Sequence, residues 1–184
     1  MIETKKNKGG INMNRTKKNF SIKVDNTDAL CPIGETVGKQ MLAEGIIPVI
    51  SCEGSCIRGE IARVAANMLA KEDGYGRGCH GEIFTVPHSA IAEWTKKAEK
   101  IIVIDGCFLH CHGRIMRNLF DENKLAIFDA LSFYNKYTDL MNIDDVPENE
   151  RRASARQVMD KVLEATQGIT SSACSASNES SCCK

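Results

Sequence analysis

Four consecutive β-favouring residues, Ile101-Ile102-Val103-Ile104, give way at Asp105-Gly106 to a stretch in which Ile115, Met116, Leu119 and Phe120 recur at helical spacing. That pattern predicts a buried strand, a tight turn and a helix. Ile46–Ile50 opens a second unit of the same plan. Behind it Ile57, Ile61, Val64, Ala65, Met68 and Leu69 mark one face of a helix ending near Lys71. Pro48 is tolerable in that strand only towards an edge or irregularity. Lys124–Leu131 reads as a further strand and Phe20–Val24 as a short edge strand. Glu82–Val86 is also β-like. Thr27-Asp28 caps a helical piece running towards Ala43, with Gly45 closing it, and Pro87 opens another whose apolar side is Ile91, Trp94 and Ala98. The last helix starts at Pro147, with Glu148 and Glu150 suited to its positive end. It buries Ala155, Val158, Met159, Val162 and Leu163, and Gly168 is its expected stop. Strands alternating with helices predict an α/β class: a single Rossmann-like three-layer domain with a small, mostly parallel sheet.

Length and charge narrow the class. The 184 residues suit one domain with a proper core. Residues 1–20, carrying Lys5, Lys6, Lys8, Arg15, Lys17 and Lys18, read as a disordered basic arm; 21–168 as the domain; 169–184 as a disordered Ser/Cys-rich tail with Cys174, Cys182 and Cys183. Lysine plus arginine and aspartate plus glutamate number 24 each, so no global field draws the chain to nucleic acid or to a membrane surface. No apolar run approaches the ~18 residues of a membrane span, and the basic start lacks the apolar region of a secretory signal. The expected setting is the cytoplasm. There, nine cysteines point to metal binding or thiol chemistry more than to disulfides, and the odd count fits poorly with complete pairing.

The thiols cluster where strand gives way to helix. Ser51-Cys52-Glu53-Gly54-Ser55-Cys56 and Gly106-Cys107-Phe108-Leu109-His110-Cys111 are two Cys-x-x-x-Cys segments, each between a predicted strand and a predicted helix. In open parallel sheets, ligands bind outside the carboxyl ends of strands. Neighbouring strands would therefore bring Cys52, Cys56, Cys107 and Cys111 into one crevice, with spacings typical of a zinc site. Helix N-termini at Cys56 and Cys111 favour thiolates. Buried free cysteine is common, but turns before helices are poor burial sites. Cys79, His80, His110 and His112 are further ligands or outer groups, whereas His88 beside Pro87 reads as a helix-start residue. Asp105 suits a turn and is also placed to accept hydrogen bonds from the loop. Arg58 and Arg114, each just inside a helix after a cysteine pair, are positioned to offset the negative charge of a tetrathiolate.

Two glycine motifs carry no such weight. Gly34 and Gly38-Lys39 have three residues between the glycines, no Ser or Thr after the lysine and no preceding strand, which excludes a phosphate loop. Gly76-Arg-Gly78-Cys-His-Gly81 matches G-x-G-x-x-G in form but precedes a β-like stretch instead of following a strand.

At Asp105-Gly106-Cys107 with Cys111, at the turn Ser51-Cys52-Glu53-Gly54 and at Gly59-Glu60, the chain resembles the DGC-motif family, small prokaryotic domains named for that tripeptide. The likeness covers roughly Ile46 to Phe128. It implies zinc binding without an assigned reaction and a ligand set of Cys52, Cys79, Cys107 and Cys111. Spacing prefers Cys56 and the resemblance Cys79, so all five cysteines, Cys52, Cys56, Cys79, Cys107 and Cys111, stand as candidate Zn²⁺ ligands. A ligand at Cys79 requires the loop that Gly74, Gly76, Gly78 and Gly81 make around Cys79-His80 to fold back to the strand ends. Two alternatives use the same residues. Cys52-x5-Arg58 looks like the anion loop of low-molecular-weight phosphatases and arsenate reductases, although Gly59 stands where those enzymes carry Ser or Thr and Asp145-Val146-Pro147 lacks their Asp-Pro acid. The other is a dithiol redox or metalloid-handling protein, with the Cys182-Cys183 tail delivering thiols or soft ions.

Overall fold

A computed structural model describes residues 20–25 and 27–173. The basic run and the cysteines of the tail (Cys174, Cys182 and Cys183) lie outside the described residues. Four strands, β1 (Ile47–Ser51), β2 (Tyr75–Arg77), β3 (Ile101–Asp105) and β4 (Leu125–Asp129), form one sheet in the order β2-β1-β3-β4. Every pairing is parallel. Among the described residues seven α-helices surround it: α1 (Pro32–Ala43), α2 (Ile57–Leu69), α3 (His80–Thr85), α4 (Ala90–Lys97), α5 (Cys111–Leu119), α6 (Leu131–Tyr134) and α7 (Glu148–Ala173). The expected three-layer α/β class is the observed one.

Alternation along the strands divides the core. Val49, Ile102 and Ile104 pack with Ile61, Ala65 and Val158 of α2 and α7 on one face. Ile50, Ile101 and Val103 meet Trp94 and Met116 of α4 and α5 on the other, with Val37 of α1 against them. The period of two in β3 is thus buried on both sides, which explains an unbroken apolar run. Pro48 lies in a central strand, not an edge one. Pairing between β1 and β3 begins only at Val49↔Ile102, so its missing N–H falls before that ladder starts.

Several boundaries differ from the sequence reading. Phe20–Val24 forms no strand and is exposed. Helix α1 begins at Pro32, which supplies a preset φ, with the Cys31 sulfur accepting from the Gly34 amide at 3.4 Å. The β-like stretch Glu82–Val86 belongs mostly to α3, and Pro87 precedes a helix that starts at Ala90 behind a Ser89 cap. The last helix passes Gly168 and ends at Ala173, since a lone glycine weakens a helix without breaking it. Tyr75–Arg77, read as loop, is a strand paired with β1 through Ile47↔Tyr75 and Val49↔Arg77.

Gly38 marks the closest approach of α1 to α4: a β-carbon there would overlap the Ala90 carbonyl carbon. Gly38→Ala should therefore cost about 1–3 kcal/mol of stability, despite alanine's better helix propensity, read as a lower urea midpoint at unchanged slope.

Candidate metal centre

The strand order fixes where the site lies. From β1 the chain moves outward to β2, then returns past β1 to β3, so the connections leaving β1 and β3 diverge. That is the switch point at which a doubly wound sheet opens a crevice at its carboxyl edge. The Ser51↔Ile104 pairing is extended by the Cys52 amide, which donates to the Ile104 carbonyl at 2.9 Å. Cys52 is therefore held opposite Asp105. Because β2 runs parallel to β1, Cys79 leaves the same edge of the sheet, and the glycine loop does return to the strand ends. All five candidate cysteines stand in loops or helix starts on this one edge.

Asp105 organises the β3 side. It is 1% exposed. Its Oδ1 accepts the His112 amide at 3.0 Å and its Oδ2 the Gly113 amide at 2.9 Å, which satisfies two of the free donors at the start of α5. The turn that brings α5 back over this carboxylate places His110 in the left-handed region, with φ of 47°. Gly106 has a different reason: a β-carbon there would come within 2.9 Å of the Arg58 carbonyl carbon and oxygen. The middle residue of Asp-Gly-Cys is thus the point where the β3 loop rests on the first turn of α2.

The Cys52 sulfur, an Asp105 carboxylate oxygen and a ring nitrogen of His112 all lie within 4.8 Å of one another. Among the described residues this is the one group of three or more such donors drawn so close. His112 is among the further ligands or outer groups that the sequence offers. Asp105 was expected to accept from the loop, and it does. Cys56, Cys79, Cys107 and Cys111 surround this trio without belonging to it. Burial raises the Cys52 thiol above its ordinary value; the Gly54 and Gly106 amides oppose the shift, and the charges of Asp105 and Cys111 add to it. Burial lowers His112, with Asp105 opposing, and lowers His80, helped by His112. Both imidazoles are thus biased to the neutral form that can lend a lone pair. Their rings meet edge-on at 5.0 Å between centroids. The Nδ1 atoms of His80, His110 and His112 are buried and lack hydrogen-bond partners. A thiol, an imidazole and a carboxylate together, with an orphaned buried nitrogen, suit a borderline-soft divalent ion.

On the flank, Arg77 clamps the β1 loop. Its guanidinium meets the Glu53 carboxylate at 2.7 Å, the Asn67 side-chain oxygen at 3.0 Å and the Val49 carbonyl at 2.9 Å. Burial lowers Arg77, with Glu53 opposing. It borders a depression of about 530 Å³, also lined by Cys79 and His80. Nothing in the local sequence pattern marks Arg77, because its role depends on β2 being a strand.

Arg58 does not serve Cys52. Its guanidinium turns to Cys56, which with burial opposing keeps Arg58 above its ordinary value. Burial raises the Cys56 thiol, but the Gly59 amide and the Arg58 side chain and amide outweigh it, for a net lowering. In an anion loop of the phosphatase kind the arginine faces the substrate held over the nucleophile, and that nucleophile is a lowered thiol. Here the lowered thiol is the other one. Arg114 reaches the Cys111 sulfur at 3.8 Å.

Two outcomes are expected. Asp105→Asn should cost about 1–3 kcal/mol in urea unfolding, because one of two buried amides would face an NH₂ group. Iodoacetamide should alkylate Cys56 at a lower pH than it alkylates a free cysteine peptide, and Arg58→Ala should move that profile upward, since a lowered thiol is thiolate at lower pH.

The family model of the DGC domain matches residues 48–158, a span that holds all five cysteines of this edge. No curated protein and no solved structure matches the chain. The match covers more than half of the sequence and takes in both strand–loop–helix units, so this chain belongs to the DGC domain family.

Proposed function

We propose that this protein holds a zinc ion in the crevice between the carboxyl ends of β1 and β3. The single observation behind that reading is the convergence of Cys52, Asp105 and His112 from two strands far apart in sequence. Cys107 and Cys111 complete the set from the β3 loop, and Cys79 joins it from the turn after β2, as the family resemblance implies. Cys52 is raised while buried, so a cation is what would draw off its proton; binding releases protons and tightens as pH rises. The backbone amide of His112 is bound to Asp105, which fixes that residue at the start of α5 beside the carboxylate. Asp105 keeps negative charge beside the ion, with its Oδ1 3.8 Å from the His112 Nδ1. A bound zinc ion supplies Lewis acidity and a structural cross-link between the two loops. A reducing cytoplasm, where the thiols stay free, belongs to this reading.

Protein purified without chelator should carry roughly one zinc per chain by elemental analysis, and Cys52→Ser or Cys107→Ser should lose most of it. Cys31→Ser is the control, since its sulfur only caps α1 and the metal should stay. Metal-free wild-type protein with unchanged stability, or equal zinc in all these variants, would count against the proposal.

A further inference from the structure

The sheet ends at β4, and that margin is open. Every residue of β3 is buried, whereas every residue of β4 is half-buried. The two faces of β4 are covered: Ala126 and Phe128 pack with α2 and α7, Leu125 and Ile127 with α4 and α5. What stays exposed is the edge. The Ala130 amide donates to the Asp105 carbonyl at 2.8 Å, one step beyond the strand. Alternate residues of a parallel ladder bond to the same neighbour. Ala126 and Phe128 therefore turn their backbone groups to β3, and Leu125, Ile127 and Asp129 turn theirs outward. Both ends of this outward row are already engaged. The Leu125 amide donates to the Glu122 carbonyl, and the Asp129 carbonyl accepts from the Ser132 hydroxyl at 2.7 Å. Among the described residues, no backbone partner meets the Leu125 carbonyl, the Ile127 amide and carbonyl, or the Asp129 amide.

That set of free groups is complementary to itself. We infer that two copies of this chain join edge to edge through β4, antiparallel about a two-fold axis at Ile127, their four-stranded sheets continuing as one. The axis sets the Ile127 amide and carbonyl against the same pair in the second copy. Each Asp129 amide then meets the Leu125 carbonyl of the other chain. The two groups this pairing would leave clashing for partners, the Leu125 amide and the Asp129 carbonyl, are the two already tied down within the chain. Between those bonded positions Ala126 faces Phe128 of the second copy, small against large, on both sides of the axis. Exposed edges are commonly blunted by lysine, proline or a bulge, and Leu-Ala-Ile-Phe-Asp carries none of these in an unbroken register. The opposite margin, β2, is only three residues long. The pairing stands whether or not the crevice holds zinc.

Full-length protein, purified without chelator, is run on a sizing column with light scattering under a phosphine reductant, which keeps disulfides from linking chains. Twice the chain mass is expected at micromolar concentration. Hydrogen exchange resolved to single residues should find the Ile127 and Asp129 amides slowed about tenfold or more in the dimer, relative to the same protein diluted to monomer. Residue 127 meets itself across the axis, so Ile127→Lys and Ile127→Glu should each run as monomers, like charges lying directly opposite. An equimolar mixture of the two should recover the dimer mass. Where a charged variant loses its fold by circular dichroism, exchange in the wild-type chain decides. A monomeric wild type, or a dimer whose Ile127 and Asp129 amides exchange freely, overturns the inference. So do folded charge variants that stay dimeric alone, or a mixture of them no heavier than its components.

Discussion

One backbone hydrogen bond sets the geometry of the site: the Cys52 amide to the Ile104 carbonyl. It carries the β1–β3 ladder one residue beyond the strand end, so a thiol on one chain segment faces a carboxylate on another. In a parallel pair the bonds repeat at even spacing, so this register follows from Val49↔Ile102 at the far end. A slip by one residue would exchange the two faces of β1, sending Ile50 where Val49 belongs. The hydrophobic cost of that slip protects the placement of the thiol. Core packing and site geometry are the same constraint here.

Around that bond the polar groups divide into satisfied and unsatisfied ones. Asp105 is buried yet tied to two amides, and Arg77 is buried yet tied to Glu53, Asn67 and a carbonyl. These are the fixed parts of the edge. The Nδ1 atoms of three histidines, the Arg58 Nε and the Tyr134 hydroxyl are buried without partners. One of these imidazoles, His112, stands beside Cys52 and Asp105.

The sequence made the two strong strand–loop–helix units legible because Ile101–Ile104 and Ile46–Ile50 are apolar enough to declare burial without help from context. Their adjacency, and thus the meeting of distant loops, followed from the general behaviour of parallel sheets. Tyr75–Arg77 was illegible: a three-residue strand holding a glycine has no periodicity to read, and it forms because β1 offers it an edge. Glu82–Val86 misled because isoleucine, phenylalanine, threonine and valine favour strands, whereas here Ile83 is buried as part of a short helix. The Asp105–His112 relation depended on the left-handed turn at His110, a conformation no residue type there announces. The family likeness drew attention to Cys79 where spacing alone did not.

The brevity of β2 gives the edge two sides of unequal firmness. On one side β3 is paired along its whole length, and its loop is tied down by Asp105 and by Gly106 resting on α2. On the other, three paired residues at the margin of the sheet carry the turn that holds Cys79 and His80. Segments with few pairings open most readily in the native state. Local opening of this crevice is therefore expected first on the β2 side, where the ties of Arg77 are what oppose it.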